Sequence, residues 1–420
     1  MSNRFSIIVL AIIFLPALGV IPYGGMRLVD AMILFSSLLF FGVTATTARL
    51  HLKSRDLAVT FFLIAAIAIF SFFPLVDPST QSIAALYFLR GALIVLVMCA
   101  LYHFTHNTIL MKGWATLTSL FIFFAIIDYL HHAYLGSSPF GLSGIYGRSE
   151  GTILRLDGFM NPNYLSHWVA ITSIAILAFI TDNTPPRKDR LLLWTTFFII
   201  SLGAILTNSR TAQFALVVSI LFLILHHSLQ SKITKNISTV AFFAAPVFIG
   251  LALSPTLYFI AISDSIPYLA ADRFFRSSES LSFFLNLPLS DMLFGVGGNI
   301  YLQMDDGMSI HNGYYQLLVD HGIIGLSLFL LCVYYIIYRS ITRHGRLRPE
   351  VFALFSSLMY AAANDTFITA HFWLIFGLLV ATTVTTSKDE RQHQKSKPIT
   401  TVSPPTKSGS SNTPLIRTMI

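Results

Sequence analysis

Charged residues are scarce in this sequence of 420 residues. Asp, Glu, Lys and Arg make up 11% of the chain, whereas a soluble domain carries roughly a quarter of such residues. Hydrophobic residues reach 55%, and the mean hydropathy is +0.71. Because water does not solvate so apolar a surface, the composition excludes a soluble globular protein and predicts a membrane-embedded one.

Cysteine is also rare, since Cys99 and Cys332 are the only two, and both lie in apolar stretches. This excludes a disulfide framework and gives no metal-binding spacing. The net charge of +8 does not indicate a nucleic-acid partner, because Lys and Arg form short runs between apolar stretches, as membrane topology produces. No small-residue cleavage site follows the apolar run after Arg4, so a retained first helix is expected.

Apolar runs of about 17–25 residues recur along the chain, and each is long enough to cross a bilayer. They predict an all-α polytopic membrane protein with about twelve transmembrane helices over residues 1–386. The tail 387–420 is rich in Ser, Thr, Pro and Lys, so it is predicted to be disordered. The predicted spans are 5–22, 29–47, 57–75, 82–102, 113–133, 163–181, 191–207, 211–227, 238–262, 314–338, 350–366 and 368–386.

The basic residues predict the orientation of these spans. With the N-terminus in the cytoplasm, alternation puts 20 of the 27 basic residues, including every lysine, on the cytoplasmic side, and both termini lie there. A planar guanidinium grips phosphate or carboxylate oxygens in a way that an ammonium does not. The seven basic residues that would face outward are all arginines, so they predict a site for an anion. The alternative is that they pair with acidic residues such as Asp128. The seven outward basic residues are Arg27, Arg90, Arg148, Arg155, Arg210, Arg273 and Arg276.

Two outward loops are long, and long loops without obvious structure usually carry function. They span about 134–162 and about 263–313, and the second contains a helix-like stretch near 272–286. Three polar segments stand out. The segment "RLDGFMNPNYLSHW" (155–168) enters the sixth span from the first long loop, and "TNSRTAQ" (207–213) is a polar turn between two apolar spans. The third runs from "LFGVGGNIY" through "HNGYYQLLVDHGIIG" (293–325) and enters the tenth span from the second long loop.

These segments resemble the O-antigen ligase and O-antigen polymerase superfamily of bacterial envelopes. The resemblance rests on motifs in a matching order: Asn161-Pro162-Asn163, Ser209-Arg210 after an apolar helix, Gly295-Val296-Gly297, and His311-Asn312 followed by His321-Gly322-Ile323-Ile324-Gly325. They cover the central and C-terminal two thirds of the chain.

The resemblance implies a GT-C-like fold and a metal-independent, inverting glycosyltransferase without a cofactor. The donor would be a glycan on undecaprenyl diphosphate. The acceptor would be a sugar hydroxyl, on lipid A–core for a ligase or on another repeat unit for a polymerase of O-antigen, capsule or exopolysaccharide. The ligase is slightly favoured because the chain is compact. The enzyme would sit among the lipids of the bacterial inner membrane, with a periplasmic active site and no nucleic-acid partner.

The resemblance also suggests catalytic residues. Arg210 matches the Ser-Arg position and would stabilise the departing diphosphate; the alternative is a helix-end arginine that snorkels. Arg276, with Arg273 as the second candidate, matches the loop arginine before the Gly-x-Gly turn and would also hold the diphosphate. The alternative is that this arginine only forms a salt bridge within the loop. His311 would act as the base on the acceptor hydroxyl, although a lone histidine is more often structural.

Four further residues complete the predicted substrate site or its surroundings. Arg155 would bind the second phosphate or an anionic acceptor, or else pair with Asp157 or Glu150. Arg90 lies deep in the fourth helix, where a charge is functional by default, unless it pairs with Asp128. Asn163 belongs to the Asn-Pro-Asn motif, and Asn312 is best read as a helix cap beside the substrate.

Other functions are less well supported by the sequence. Asp305-Asp306 has the composition of a Mg²⁺ site but suits turn chemistry better, so no metal is predicted. A transporter would show polar residues at the midplane of several helices and two matching halves. The sequence has few midplane charges beyond Arg90 and no matching halves. The third possible class of function is a structural membrane partner in an envelope complex.

Overall fold

The structure is a computed structural model in which helices dominate. It describes residues 54–70, 78–104, 107–148, 151–158, 162–183, 185–229, 232–253, 278–297, 311–364, 367 and 369–384. The helices are α1 (Ser54–Phe70), α2 (Pro78–Phe104), α3 (Asn107–Leu135), α4 (Pro162–Asn183), α5 (Arg187–Leu206), α6 (Arg210–Ser228), α7 (Lys232–Phe248), α8 (Leu289–Phe294), α9 (Gly313–His344), α10 (Pro349–Ala361) and α11 (Ala370–Val384).

Ten of the predicted spans overlap the described residues, and over that overlap each contains most of one of the helices α1–α7 or α9–α11. Five of these helices, α3–α6 and α9, are long and apolar enough to cross a membrane. The architecture of a helical, polytopic membrane protein is therefore supported. The predicted spans 5–22 and 29–47 and the tail 387–420 lie outside the described residues.

The loop between α3 and α4 departs from the all-α expectation. It forms an antiparallel hairpin of β1 (Ser143–Arg148) and β2 (Gly151–Leu156), paired from Ser143–Leu156 to Arg148–Gly151. Glycines inside these short strands hide the β-pattern, because glycine is depleted from strands and offers no side chain to pack. In the second long loop, residues 278–285 are helical, which agrees with the later part of the stretch expected near 272–286.

The centre of the bundle is formed by α4 and α10, whose side chains are almost all buried. The outer helices instead expose large apolar side chains, among them Phe123 and Ile127 on α3, Phe198 on α5 and Leu221 on α6. Apolar residues that point outward along whole helices are what a hydrocarbon solvent requires. The burial pattern thus fits a bundle in lipid.

Small residues let some helices approach closely, as is typical of membrane bundles. A Cβ built on Gly91 of α2 would lie 2.3 Å from the Trp373 ring of α11, and one on Gly203 of α5 would lie 2.5 Å from Ile122 of α3. Side chains larger than hydrogen at these two positions would push the helix pairs apart.

The two ends of the bundle differ in character. At one end Asp56 at the start of α1 accepts from Arg339 near the end of α9 at 2.8 and 2.9 Å, and Lys112 in α3 pairs with Asp189 in α5 at 2.9 Å. We call this the basic end. The other end carries the β-hairpin, and we call it the hairpin end. The helices α4, α6 and α9 start there, and α3, α5, α7 and α10 finish there.

Candidate functional site

The hairpin is anchored to the bundle by Asp128 of α3. Its carboxylate accepts hydrogen bonds from the Ser138 hydroxyl (2.5 Å), the Phe140 and Leu142 backbone N–H groups (2.7 and 2.9 Å) and the Ser143 hydroxyl (2.9 Å). Asp128 is fully buried, and a buried carboxylate needs such donors to offset its desolvation. The residue therefore fixes the segment that leads into β1.

Arg90 was expected to pair with Asp128 or to bind the lipid diphosphate. The hydrogen bonds of Asp128 within the described part of the chain go to the loop after α3, so the first expectation is wrong. Arg90 is buried on α2, two residues after Phe88, whose ring meets the His321 ring edge-on at 5.0 Å. Its proposed role in binding stays a prediction.

Arg155 of β2 reaches across to two helices. Its Nε donates to the Thr207 carbonyl (2.7 Å), and its terminal Nη2 donates to the Asn163 side-chain oxygen (3.2 Å). Its guanidinium carbon lies 5.7 Å from the centre of the Tyr146 ring, a diagonal neighbour on the hairpin. Asp157, one of the two partners that the sequence suggests for Arg155, accepts from the Tyr146 hydroxyl at 2.9 Å. Arg155 thus clamps the start of α4 to the turn between α5 and α6.

That turn consists of Thr207, Asn208 and Ser209 and carries Arg210 at its end. Thr207 still has right-handed helical geometry, but Asn208 is left-handed, with φ of 51°. Ser209 is extended and precedes α6 without capping it through its side chain. Arg210 is therefore the first residue of α6, and it is exposed at the hairpin end.

The position of Arg210 is unfavourable for the helix itself. A cation at a helix N-terminus faces the positive end of the helix dipole and costs about 0.3–1 kcal/mol. An anion bound there would instead meet both the guanidinium and the first backbone N–H groups. The local geometry is thus suited to holding a phosphate oxygen.

Asn163 joins the same region from the start of α4. Its side-chain oxygen accepts from Arg155, and its backbone carbonyl accepts from the Tyr360 hydroxyl (2.6 Å) and the Ser166 hydroxyl (2.7 Å). Tyr360 is buried at the end of α10. Asn163 is therefore a junction between the hairpin, α4 and α10. The substrate contact expected for it stays a prediction.

The His311-Asn312 pair starts α9 at the same end. His311 has φ of 52°, and it and Asn208 are the two non-glycine residues with positive φ in the described ranges. Asn312 is fully buried and caps α9, because its side-chain oxygen accepts from the Tyr314 and Tyr315 backbone N–H groups at 3.0 and 3.2 Å. Its amide also donates to the Gly250 carbonyl at 2.8 Å.

The cap interpretation of Asn312 is thus the one that the structure supports, since both ends of its side chain are engaged by the protein. His311 sits in a conformation that is sparsely populated for a residue with a side chain. Such outliers persist where the surroundings over-determine them, and they cluster at functional sites. The rigid cap holds the imidazole of His311 just before the first turn of α9.

The Gly-Val-Gly turn and the His-Gly motif pack against each other. Gly322 interrupts the helical geometry of α9 (φ 67°, ψ −174°), which frees carbonyls one turn earlier. The Val296 N–H donates to the Val319 carbonyl (2.9 Å), and the Gly297 N–H donates to the Asp320 carbonyl (3.1 Å). The end of the second long loop is thereby tied to the kink of α9.

Several candidate residues lie outside the described residues. These are Arg273, Arg276, Asp305 and Asp306. Within the residues that the structure does describe, no group of three or more His, Cys, Asp or Glu side chains could hold a metal ion. The structure therefore brings Arg155 and Asn163 to the turn before Arg210, and it leaves the loop arginines untested.

Comparison with known families finds one match, which covers part of this site. A family model described as O-Antigen ligase matches residues 195–330, which run from within α5 to the middle of α9. This match shows that residues 195–330 are similar to the O-antigen ligase family and supports the O-antigen ligase superfamily. The superfamily resemblance inferred from the motifs is thus confirmed. None of the curated proteins matches the chain.

The O-antigen ligase match includes Arg210, His311 and Asn312 but leaves out other parts of the site. Arg155 and Asn163 precede it, and Tyr360 follows it. No sequence pattern distinguishes Tyr360, because it lies in an ordinary apolar span. The clamp that Arg155 forms was also missed, since its main acceptor is a backbone carbonyl 52 residues away in the sequence.

Proposed function

We propose that this protein is an O-antigen ligase-like glycosyltransferase of the bacterial inner membrane. It would move a glycan from undecaprenyl diphosphate to a sugar hydroxyl of lipid A–core. The family match supports an enzyme of the ligase or polymerase type in general. A polymerase that transfers the same donor to another repeat unit is the second candidate, since the family match supports the ligase or polymerase type of function only in general.

The proposal includes the topology. About twelve membrane helices, arranged in a GT-C-like fold, would place both termini in the cytoplasm and the hairpin end in the periplasm. The ion pairs of the basic end support this orientation, because positively charged residues favour the cytoplasmic side. The hairpin end would then lie on the periplasmic side, where the lipid-linked glycan would be transferred.

The observation that carries the proposal is the turn that presents Arg210 at the start of α6. Arg155 donates a hydrogen bond to the Thr207 carbonyl of this turn at 2.7 Å, so the backbone from which the Arg210 side chain extends is held in place. Fixed charges that need no reorganisation are the most effective way to stabilise a developing anion. A departing diphosphate is such an anion.

The proposed chemistry gives each of these residues a role. An oxygen of the acceptor sugar attacks the anomeric carbon of the donor, and His311 takes the proton of that hydroxyl. The bond between the anomeric carbon and the diphosphate oxygen breaks, and its electron pair leaves with the diphosphate. Attack opposite the leaving group inverts the anomeric centre. Arg210 stabilises the charge on undecaprenyl diphosphate, and no metal or cofactor is required.

The remaining arginines have proposed roles around this step. We assign Arg276, with Arg273 as the alternative, as a second cation on the diphosphate. Arg90 would meet the lipid end of the donor from within the bundle. Arg155 differs from the sequence-based expectation, because its Nε and one terminal nitrogen already hold Thr207 and Asn163. We therefore propose that it positions the turn of Arg210 and does not grip a phosphate.

The test is complementation of a deletion strain, read as its surface glycan. The deletion distinguishes the two candidates, because loss of all O-antigen from the core indicates a ligase and a core with one repeat indicates a polymerase. Arg210→Ala should reproduce the deletion, since removal of one such donor lowers turnover by about 10²–10³-fold. His311→Ala and Arg276→Ala should do the same while the protein still inserts.

Arg187→Ala is the matched control. Arg187 is the exposed first residue of α5, as Arg210 is of α6, but it lies at the basic end. This variant should restore the glycan fully. Wild-type glycan in the Arg210→Ala strain would rule out the proposed role of this arginine and would favour a structural partner.

A further inference from the structure

The last turn of α10 lies between the two halves of the proposed site. On one side are the start of α4 and the turn of Arg210. On the other side is the start of α9, with His311. Neither catalytic group lies on α10, and the family match ends before this helix begins. The contacts on its two sides nevertheless join both halves.

Toward Arg210, the connection runs through one hydroxyl. The Tyr360 hydroxyl donates to the Asn163 carbonyl at 2.6 Å. The side chain of Asn163 accepts from Arg155 at 3.2 Å, and Arg155 donates to the Thr207 carbonyl at 2.7 Å. Three hydrogen bonds thus lead from α10 to the turn that presents Arg210.

Toward His311, the connection runs through backbone groups of the same segment. The Tyr314 hydroxyl donates to the Leu358 carbonyl at 3.1 Å, and the Gly313 N–H donates to the Asn364 carbonyl at 3.1 Å. Gly313 and Tyr314 are the first two residues of α9 and directly follow the His311-Asn312 pair. The same stretch of seven residues, 358–364, therefore holds the start of α9.

We propose that Tyr360 is a positioning residue of the transferase, whose hydroxyl sets the place of Arg210 relative to His311. This inference rests on the proposed function. The donor diphosphate would be held on one side of α10 and the acceptor would be activated on the other. The attack requires both in one geometry, and a displacement of about 1 Å costs roughly a hundredfold in rate.

The surroundings of Tyr360 allow its hydroxyl to be removed without loss of its ring. The ring stacks on that of His167, with centroids 4.7 Å apart and planes 17° from parallel. His167 is itself held by the Ser357 hydroxyl at 2.8 Å. The substitution Tyr360→Phe keeps the stacked ring and deletes the bond to Asn163, together with the 3.3 Å contact between this hydroxyl and that of Ser166.

The experiment measures transfer by the purified full-length protein in proteoliposomes. The donor is lipid-linked glycan extracted from the deletion strain, and the acceptor is lipopolysaccharide from the same strain. Tyr360→Phe should lower kcat per folded molecule by about tenfold or more. The KM values for donor and acceptor should stay within about twofold of wild type, because each substrate is held by its own half of the site.

Tyr334→Phe is the matched control. The Tyr334 hydroxyl likewise donates to a backbone carbonyl of another helix, that of Phe243, but it lies in the later part of α9 toward the basic end. It should retain wild-type kcat and KM even if it unfolds at a lower temperature. A purely structural role of Tyr360 would give the same result for both variants.

A second variant covers the case in which Tyr360→Phe does not fold. Arg155→Lys keeps the charge but cannot bridge Thr207 and Asn163 as the guanidinium does, so it should lower kcat and preserve KM in the same way. If both single variants fold, the double variant should be no slower than the slower single one, because residues in one chain of bonds are not additive.

The outcomes separate the two proposals. Wild-type kcat in folded Tyr360→Phe, or multiplied losses in the double variant, would overturn this inference even if Arg210→Ala is inactive. If Tyr360→Phe does not fold, wild-type kcat in Arg155→Lys would overturn it. Absence of transfer by the wild-type protein would overturn the proposed function and the inference together.

Discussion

Replacement of Gly322 by alanine tests the docking of the second long loop on α9. The backbone of Gly322 (φ 67°, ψ −174°) lies in a region that is essentially restricted to glycine. A Cβ at this residue would lie 2.3 Å from the Leu293 carbonyl oxygen and 2.5 Å from the Gly295 nitrogen. Both contacts are to main chain, so the turn at residues 295–297 would have to move.

The expected loss has two parts. An alanine in this backbone region costs about 1–3 kcal/mol. Displacement of the turn also breaks the bonds from Val296 to the Val319 carbonyl and from Gly297 to the Asp320 carbonyl, and each such bond contributes about 1 kcal/mol. Gly322→Ala should therefore lower the free energy of unfolding by about 3–5 kcal/mol.

Gly345→Ala supplies the control. Gly345 ends α9 with the same φ of 67°, but a Cβ there would have no atom within 4 Å. Only the left-handed backbone is penalised, at about 1–2 kcal/mol. Both variants can be compared by SDS titration of the full chain in mixed micelles. Equal losses in the two variants would refute the argument that Gly322 serves the docking of the turn.

Three further predictions concern the anchors and the chemistry. Asp128→Asn should lower the free energy of unfolding by about 2–4 kcal/mol, because an amide cannot accept all four bonds that the charged carboxylate receives. Faster proteolysis at residues 138–143 would report this loss, and an unchanged rate of proteolysis would contradict the prediction. Asn312→Ala should cost about 1–2 kcal/mol through loss of the α9 cap, measured by the same SDS titration, with no change counting against the cap. Transfer activity should be unchanged by EDTA, and its abolition would contradict the metal-independent step.

Much of the helical architecture could be predicted from the sequence because the signal is local. Apolar runs and short basic clusters recur at the spacing that a bilayer imposes, and ten helices appear where such runs predict them. The β-hairpin could not be predicted in this way. Gly144 and Gly147 interrupt β1, and the strands are stabilised by Asp128 and Arg155 through contacts with other elements.

The candidate site was predictable in its motifs but not in its connections. Arg210 and His311 lie in ordered motifs that a family shares, so they could be selected from the sequence. The acceptors of Arg155 and Tyr360 are a distant backbone carbonyl in each case, those of Thr207 and Asn163. Because any residue offers a carbonyl, no side-chain pattern marks such a partner. The pair of Arg90 with Asp128 is plausible in sequence, but the hydrogen bonds of Asp128 go to the segment after α3.

The most direct test of the central claim is an experimental structure of the full-length protein with bound undecaprenyl diphosphate. The diphosphate should contact the guanidinium of Arg210 at the hairpin end. The imidazole of His311 should face the same cavity, close enough to reach a hydroxyl bound beside the diphosphate. A diphosphate held at the basic end, or an Arg210 and His311 that open into separate cavities, would contradict the account.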